Sequence, residues 1–286
     1  MKTLKLNASL WGILLICSFP YKLNAQQCPC LEDLNYVVEQ IEQQHPGRRY
    51  FKRRESRTSI AEGLNELRQE LTQSCTEGRE ACVDYLNRYF TLIPDRHLKA
   101  TLASREDRYL ANPRPLLAEF EILPEGVARI EISSFNRRYT EQLDSFYRYL
   151  APQLLNQRHL IVDVQNNGGG AKRNLDELLK LLKDRRYDFD RVALLQSGNT
   201  GSAAEHFLLR MRRSFGRRLR SFGANSYGAL AYGGTKAYQT PQLQLHFRIP
   251  RVVFKRFRRY EVIGVAPDVA TSASTALEQA LEWLRQ

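Results

Sequence analysis

The spacing of apolar residues changes about a third of the way along the chain. Up to about residue 100, apolar positions recur every three or four residues, which predicts helices over 31–44, 59–71 and 79–92. Pro46 with Gly47 ends the first helix and Pro94 ends the third. The first hundred residues are therefore predicted to form a small helical unit.

Beyond this unit, strand and helix patterns alternate. Residues 160–164 (LIVDV) and 192–195 form short continuous apolar runs, which are typical of strands buried on both faces. Further strands are predicted at 117–123, 127–132, 218–222, 243–249 and 252–254, and further helices at 140–155, 175–182, 203–213 and 277–284. Such alternation predicts an α/β domain.

The first 25 residues have the layout of a secretory signal peptide. Lys2 and Lys5 precede an apolar run over residues 10–19, and Ala25 provides a small residue for cleavage. We expect an exported protein, periplasmic or extracellular, with a helical subdomain over 26–100 and an α/β domain over 101–286. An uncleaved membrane anchor is the alternative. Cys17 fits a lipoprotein site poorly because Ile16 before it is bulky.

Hydrophobic residues make up 43% of the chain and charged residues 26%, an ordinary globular balance with a net charge of +12. Basic residues cluster at 48–54, 210–220 and 251–259. Export argues against a nucleic-acid partner, and none of the clusters lies in a nucleic-acid-binding motif. Solvated faces are the simpler interpretation, and attraction to anionic surfaces or acidic substrates is the alternative.

Four cysteines remain after processing, an even number that favours disulfides in an exported protein. Cys28 and Cys30 are too close in sequence to pair with each other without strain. Each is therefore expected to pair with Cys75 or Cys82, in either connectivity. A metal site is disfavoured because no histidine has a ligand-like spacing, and no metal or cofactor is predicted.

Two loops could carry chemistry, since each follows a buried strand and precedes a helix. The first, 163–170 (DVQNNGGG), has three glycines that let a ligand approach backbone N–H groups, although a flexible turn has the same composition. The second, 199–205 (NTGSAAE), sets Ser202 beside a helix N-terminus, which favours developing negative charge. A plain N-cap serine is the alternative for Ser202.

Four segments together resemble motifs of one enzyme family, in the same order. They are 95–97 (DRH), 163–170, 200–205 (TGSAAE) and 261–268 (EVIGVAPD). The chain resembles the C-terminal-processing, or tail-specific, serine peptidases, in particular the branch that includes the tricorn core protease. The resemblance implies a core like the crotonase/Clp-protease fold and a peptide or protein substrate.

Carried onto this sequence, the resemblance implies that Ser202 is the nucleophile, His97 its general base and Glu261 the support of His97. The implied reaction is hydrolysis of a peptide bond through an acyl-enzyme. The implied oxyanion hole consists of backbone N–H groups of Ala203 and of Gly168 or Gly169.

The sequence departs from the family pattern in several places. Arg96 replaces a glycine, Gln165 replaces an arginine, and Ala229 stands where many members have a lysine base. The stretch after His97 is too short for the PDZ module of the family. A catalytically inactive protein that binds peptides or hydrophobic ligands is therefore the alternative to the enzyme. A basic module that adheres to anionic surfaces is a third hypothesis, and the oligomeric state does not follow from the sequence.

Overall fold

A computed structural model describes residues 28–51, 54–104, 107, 116–123 and 126–286. The predicted signal peptide at 1–25 lies outside these ranges. Within them, no helix has both the length and the apolar character that crossing a bilayer requires.

The N-terminal unit is helical, as its apolar spacing predicted. Its helices are α1 (Pro29–Gln44), α2 (Arg48–Phe51), α3 (Arg54–Gln73) and α4 (Arg79–Thr91). Two disulfides, Cys28–Cys75 and Cys30–Cys82, tie the start of α1 to the end of α3 and to α4. Each early cysteine thus pairs with one of the later two. These crosslinks fit an oxidising, extracytoplasmic environment.

The helical unit does not enclose its core alone. Leu245, Phe247 and Ile249, from far along the chain, are buried in the same cluster as residues of α1, α3 and α4. The buried carboxylate of Asp33 in α1 adds polar contacts to that distant segment, accepting hydrogen bonds from Thr240 Oγ1 (2.6 Å) and Leu243 N (2.9 Å). Contacts from the C-terminal part of the chain therefore hold the helical unit in place.

The rest of the described chain forms the α/β domain. Its strands are β1 (Ala118–Leu123), β2 (Val127–Ile132), β3 (His159–Asp163), β4 (Arg191–Gln196), β5 (Leu219–Gly223), β6 (Tyr232–Gly233), β7 (Lys236–Gln239), β8 (His246–Ile249), β9 (Val252–Val253) and β10 (Val269–Ala270). Its helices are α5 (Thr140–Gln153), α6 (Lys172–Leu182), α7 (Ala203–Phe215) and α8 (Ala276–Arg285).

Six strands build the central sheet in the order β1-β2-β3-β4-β5-β10, parallel except for the β1–β2 pair. Alternate residues face opposite sides, so that Leu160 and Val162 of β3 pack in the cluster with α5, α6 and α7, whereas Ile161 packs in the cluster with α8. Coverage of both faces explains the continuous apolar runs of β3 and β4. The predicted α/β class is confirmed.

Two short antiparallel pairs, β6–β9 and β7–β8, lie outside the central sheet. The apolar pattern predicted one strand over 243–249, but β8 begins only at His246. The preceding backbone is turned, because the N–H groups of Gln242 and Leu243 donate to Asp33. This long-range contact delays the start of the strand.

Candidate active site

The glycine-rich loop and the nucleophile loop meet at the carboxyl ends of β3 and β4. Asn167 joins them: its backbone oxygen accepts from Gly201 N (2.9 Å), and its side chain accepts from Gly169 N (2.9 Å). The packing is so close that a Cβ on Gly169 would lie 2.5 Å from Gly201 O and 2.9 Å from Ser202 Cβ. The two loops therefore form one rigid surface.

Ser202 is the N-cap residue of α7 and has an unusual backbone conformation, with φ 52° and ψ −115°. A non-glycine residue with positive φ is strained, and such residues cluster at active sites. The following helix holds this strained backbone conformation in place, because Ser202 N donates to the side chain of Glu205 at 2.7 Å. The serine hydroxyl is thereby presented beside the positive end of the helix dipole.

Glu205 is fully buried and connects the nucleophile to the loop after β5. Besides Ser202 N, its carboxylate accepts from Ser226 Oγ (2.6 Å), Gly228 N (2.7 Å) and Ala229 N (2.9 Å). Burial raises the pKa of Glu205, and these hydrogen bonds offset only part of that rise. Ala229 is thus fixed by its backbone at the position where the family pattern has a lysine.

His97 lies in the segment after α4, which brings its ring to Ser202. Nε2 is 3.3 Å from Ser202 Oγ, and Nδ1 is 3.0 Å from Asp95 Oδ1. The first distance is long for a hydrogen bond, as is common in catalytic sites without substrate. Only 13% of the His97 side chain is exposed. The base that the resemblance implied therefore lies beside the predicted nucleophile.

Asp95 is buried and contacts the ring of His45 as well as that of His97. Asp95 Oδ2 lies 2.8 Å from His45 Nε2, and Gly47 N donates to His45 Nδ1 at 2.9 Å. Because His45 Nδ1 accepts, the proton of a neutral His45 is on Nε2 and is donated to Asp95. Asp95 then accepts from both rings, which places the His97 proton on Nδ1 and leaves Nε2 free to accept.

Glu261 lies near His97, but its carboxylate is hydrogen-bonded to backbone N–H groups. Its carboxylate accepts from Arg96 N (3.1 Å) and from Ala231 N (2.6 Å), and among the described contacts Asp95 makes the hydrogen bond to His97 Nδ1. In this geometry the described hydrogen bond to the His97 ring involves Asp95, and the role that the resemblance implied for Glu261 stays a prediction. Burial raises the pKa of Glu261 to about 7, partly opposed by these two N–H donors.

The charges around His97 favour its protonated form. Burial lowers the pKa of His97, but the hydrogen bond and charge of Asp95, with smaller effects of Glu261 and Glu205, outweigh burial and raise it above the ordinary value. For Asp95, burial raises the pKa, but hydrogen bonds from His45 and His97 outweigh it and lower the pKa. An ionised Asp95 therefore stabilises the imidazolium that a general base becomes.

The two glycines predicted for the oxyanion hole differ in what their N–H groups contact. Gly169 N–H already donates to Asn167 Oδ1. Gly168 lines the cleft in front of Ser202, and a Cβ there would have no atom within 4 Å. Ala203 is the first residue of α7, where backbone N–H groups have no partner within the helix. Gly168 and Ala203 are the better candidate pair.

Ligand atoms of Asp95, His97 and Glu261 lie within 4.8 Å of one another, a spacing that could hold a cation. Both carboxylates, however, already accept hydrogen bonds from protein groups, and His97 Nδ1 is bonded to Asp95. A metal ion would have to displace these bonds. We therefore interpret the cluster as an acid–base arrangement.

The site opens into a cleft of about 1410 Å³. Its lining includes His97, Ser202 and Gly168, together with Tyr227 and residues 233–237. Its size is sufficient for an extended peptide, since ligand pockets for small molecules are usually smaller.

Residues 126–191 match the model of peptidase family S41. This match confirms the predicted resemblance to the tail-specific peptidases, which belong to family S41. A putative peptidase from Parabacteroides merdae superposes on this chain with a TM-score of 0.61 at 14% identity, over 90% of this chain and 97% of its own. Mature CPAF superposes with a TM-score of 0.55 at 10% identity, over 90% and 95%.

A lipoprotein from Streptococcus agalactiae superposes on this chain with a TM-score of 0.55 at 16% identity, over 90% of this chain and 96% of its own. At these identities the neighbours show the fold alone, and no protein of curated function matches the sequence. The placement in the tricorn-core-like branch of S41 stays a prediction.

Sequence reasoning missed Asp95 and His45. Asp95 was part of the 95–97 motif, and its position two residues before His97 could have indicated a local contact with the ring. No motif surrounds His45 in the sequence, so nothing local marks it as part of the site. Only the folded chain brings His45 to a residue 50 positions away.

Proposed function

We propose that the chain is an exported serine peptidase in which Ser202 is the nucleophile and His97 the general base. The observation that carries this proposal is the 3.3 Å approach of His97 Nε2 to Ser202 Oγ, at a strained helix N-terminus inside a large cleft. The S41 match over 126–191 supports the same reaction class.

In the proposed reaction, Ser202 Oγ attacks the peptide carbonyl carbon while His97 Nε2 takes the hydroxyl proton. The N–H groups of Gly168 and Ala203 would stabilise the oxyanion. His97 then gives the proton to the leaving amine, which departs as the C–N bond breaks. Water attacks the acyl carbon while His97 takes a proton from it. The ester bond to Ser202 then breaks, His97 returns the proton to Ser202 Oγ, and the product acid is released. Asp95 orients and stabilises His97 throughout, and Glu261 adds negative charge nearby.

Labelling with a fluorophosphonate probe tests the proposal without knowledge of the substrate. The activated Ser202 Oγ should displace fluoride from the probe in the wild-type protein, and the Ser202→Ala and His97→Ala variants should not be labelled. Ser145→Ala, at an exposed serine outside the cleft, is the matched control and should be labelled like the wild type. A folded wild-type protein that stays unlabelled would favour the inactive binding protein instead.

The pH dependence of kcat/KM should reflect the raised pKa of His97. The base must be neutral, so activity should fall as pH drops through a pKa above the ordinary histidine value of about 6.5. Glu261→Gln removes a negative charge that raises this pKa, so the acid limb should move to lower pH. Rate profiles of both proteins measure this. A limb that does not move would mean that Glu261, whose own pKa is raised to about 7, carries no charge in the pH range where His97 titrates.

We also propose export with cleavage after residue 25, supported by the basic start, the apolar run and the two disulfides. Mass spectrometry of periplasmic and medium fractions should find a chain that begins near Gln26. An intact chain beginning at Met1 in the membrane fraction would instead indicate an uncleaved anchor.

A further inference from the structure

His45 is a buried histidine that directly follows α1, away from the surface of the cleft. Its side chain has no exposed area, and it is not among the described residues that line the cleft. Burial of a polar ring costs free energy unless its nitrogens are hydrogen-bonded. An apolar side chain would fill the same space without that cost, so the hydrogen bonds of His45 indicate what the residue does.

Both ring nitrogens of His45 have partners, and two aromatic rings pack against the imidazole. Gly47 N donates to Nδ1 at 2.9 Å, and Nε2 lies 2.8 Å from Asp95 Oδ2. The ring centres of Phe51 and Tyr232 lie 4.8 and 4.9 Å from that of His45. Rotation of the imidazole would break these contacts, so the Nε2–H group stays directed at Asp95.

The backbone around His45 is fixed as well. His45 N donates to Ile41 O at 3.0 Å, and His45 O accepts from Arg48 N at 3.1 Å. Gly47 has no space for a side chain, since a Cβ would lie 2.6 Å from Tyr232 Oη. The imidazole is therefore held by a rigid backbone in addition to its ring contacts.

The two oxygens of Asp95 have different donors. Oδ1 accepts from His97 N at 2.8 Å and lies 3.0 Å from His97 Nδ1, whereas the described donor to Oδ2 is His45. Burial raises the pKa of Asp95, and the hydrogen bonds from His45 and His97 outweigh burial and lower it. Without His45, a buried oxygen of the carboxylate loses its donor, which destabilises the ionised form and frees the side chain to rotate.

We propose that His45 is a positioning residue of the active site, which acts on His97 through Asp95. This role rests on the proposed peptidase function. His45 holds the carboxylate of Asp95 ionised and oriented, so that His97 keeps its proton on Nδ1 and presents Nε2 to Ser202. Through this contact the N-terminal helical unit contributes to a reaction whose nucleophile belongs to the α/β domain.

Rates of fluorophosphonate labelling test the role of the donor. His45→Leu removes the N–H group, and its rate should fall between about tenfold and about a hundredfold, as expected for loss of a hydrogen bond to a charged group. His45→Gln brings an amide N–H within reach of Asp95 and should react faster than His45→Leu. His159→Leu, the same change at the end of β3 opposite the cleft, should react like the wild type.

The pH dependence of labelling distinguishes positioning from a general loss of stability. Without the His45 donor, burial raises the pKa of Asp95 relative to the wild type, so the Asp95–His97 pair releases its proton at higher pH. The acid limb of His45→Leu should therefore move to higher pH, opposite to the shift expected for Glu261→Gln. Further titratable or charged groups near the two rings are the same in both proteins, namely Arg48, Glu205, Tyr232 and Glu261.

NMR of the wild-type protein labelled with ¹⁵N-histidine tests the hydrogen bond without any activity. At alkaline pH the proton of His45 should be on Nε2 and that of His97 on Nδ1. The signals that disappear in His45→Leu and in His97→Ala assign the two rings. A His45 proton on Nδ1, or a doubly protonated His45 ring at that pH, would overturn the proposal because the ring would not have the contacts that define its role.

Two kinetic results would also overturn the proposal. They are labelling of His45→Leu at the wild-type rate, and a slower rate in a folded His45→Leu whose acid limb has not moved. If His45→Leu does not fold, the tautomers in the wild-type NMR spectrum decide. Labelling of the wild type separates the two proposals: a labelled wild type with an unaffected His45→Leu refutes only the role of His45, whereas a folded wild type that is not labelled refutes the peptidase itself.

Discussion

Replacing Asp95 with asparagine is expected to lower kcat/KM by about 10⁴-fold, because the imidazole of His97 would adopt the wrong tautomer. Gly47 N–H fixes His45 so that its Nε2 proton is donated to Asp95. An asparagine whose oxygen accepts from this donor turns its NH₂ group towards His97 Nδ1, and it loses the hydrogen bond that Asp95 Oδ1 accepts from His97 N (2.8 Å). The His97 proton then moves to Nε2, facing Ser202, where the ring cannot accept the hydroxyl proton. Rates of fluorophosphonate labelling measure the loss before a substrate is known.

Glu261→Gln is the matched control, because it also neutralises a buried carboxylate near His97. The bond from His97 Nδ1 to Asp95 stays intact, so the expected loss is only about tenfold, equivalent to about one pKa unit. Thermal unfolding of both variants checks that each is folded at the assay temperature. A larger loss for Glu261→Gln than for Asp95→Asn would restore the role that the family resemblance implied for Glu261.

Replacing Gly169 with alanine is expected to reduce the free energy of unfolding by about 2–5 kcal/mol, from a positive φ and from overpacking. Gly169 has φ 94°, and its new Cβ would lie 2.5 Å from Gly201 O and 2.8 Å from Ala203 N. Both neighbours are backbone atoms that cannot rotate away. The nucleophile loop would have to shift, and a displacement of about 1 Å can cost about 10²-fold in rate.

Gly168→Ala controls for the loss of a glycine in the same loop. Gly168 does not have a positive φ, and a Cβ there meets no atom within 4 Å. Its free energy of unfolding should change by no more than about 1 kcal/mol, the effect of a compatible glycine-to-alanine change. Denaturant unfolding of the two variants measures the contrast, and equal destabilisation would mean that contact with the nucleophile loop does not explain the requirement at Gly169.

Much of the fold followed from local sequence patterns. Continuous apolar runs located β3 and β4 because both faces of a central parallel sheet are covered. Three-to-four-residue spacing located the helices of the N-terminal unit, because each helix buries one face. The pattern failed at β8, whose start depends on a contact with Asp33 from more than 200 residues earlier.

The candidate nucleophile and glycine loops were also readable from the sequence, since their chemistry resides in contiguous residues. The hydrogen-bond partner of His97 could not be predicted from the sequence. Asp95 and Glu261 are both acidic residues in motifs, so the sequence does not distinguish them. Only the folded chain shows that the Glu261 carboxylate accepts from backbone N–H groups, whereas Asp95 lies between the imidazoles of His45 and His97.

By itself, the sequence determined the α/β class, the set of paired cysteines and the loops that carry Ser202 and Gly168, because these depend on periodicity and local composition. The tertiary structure alone decided the contacts between Ser202 and His97 and between Asp95 and His45. These features join residues 50 to more than 100 positions apart, and the sequence carries no local signal for such distances.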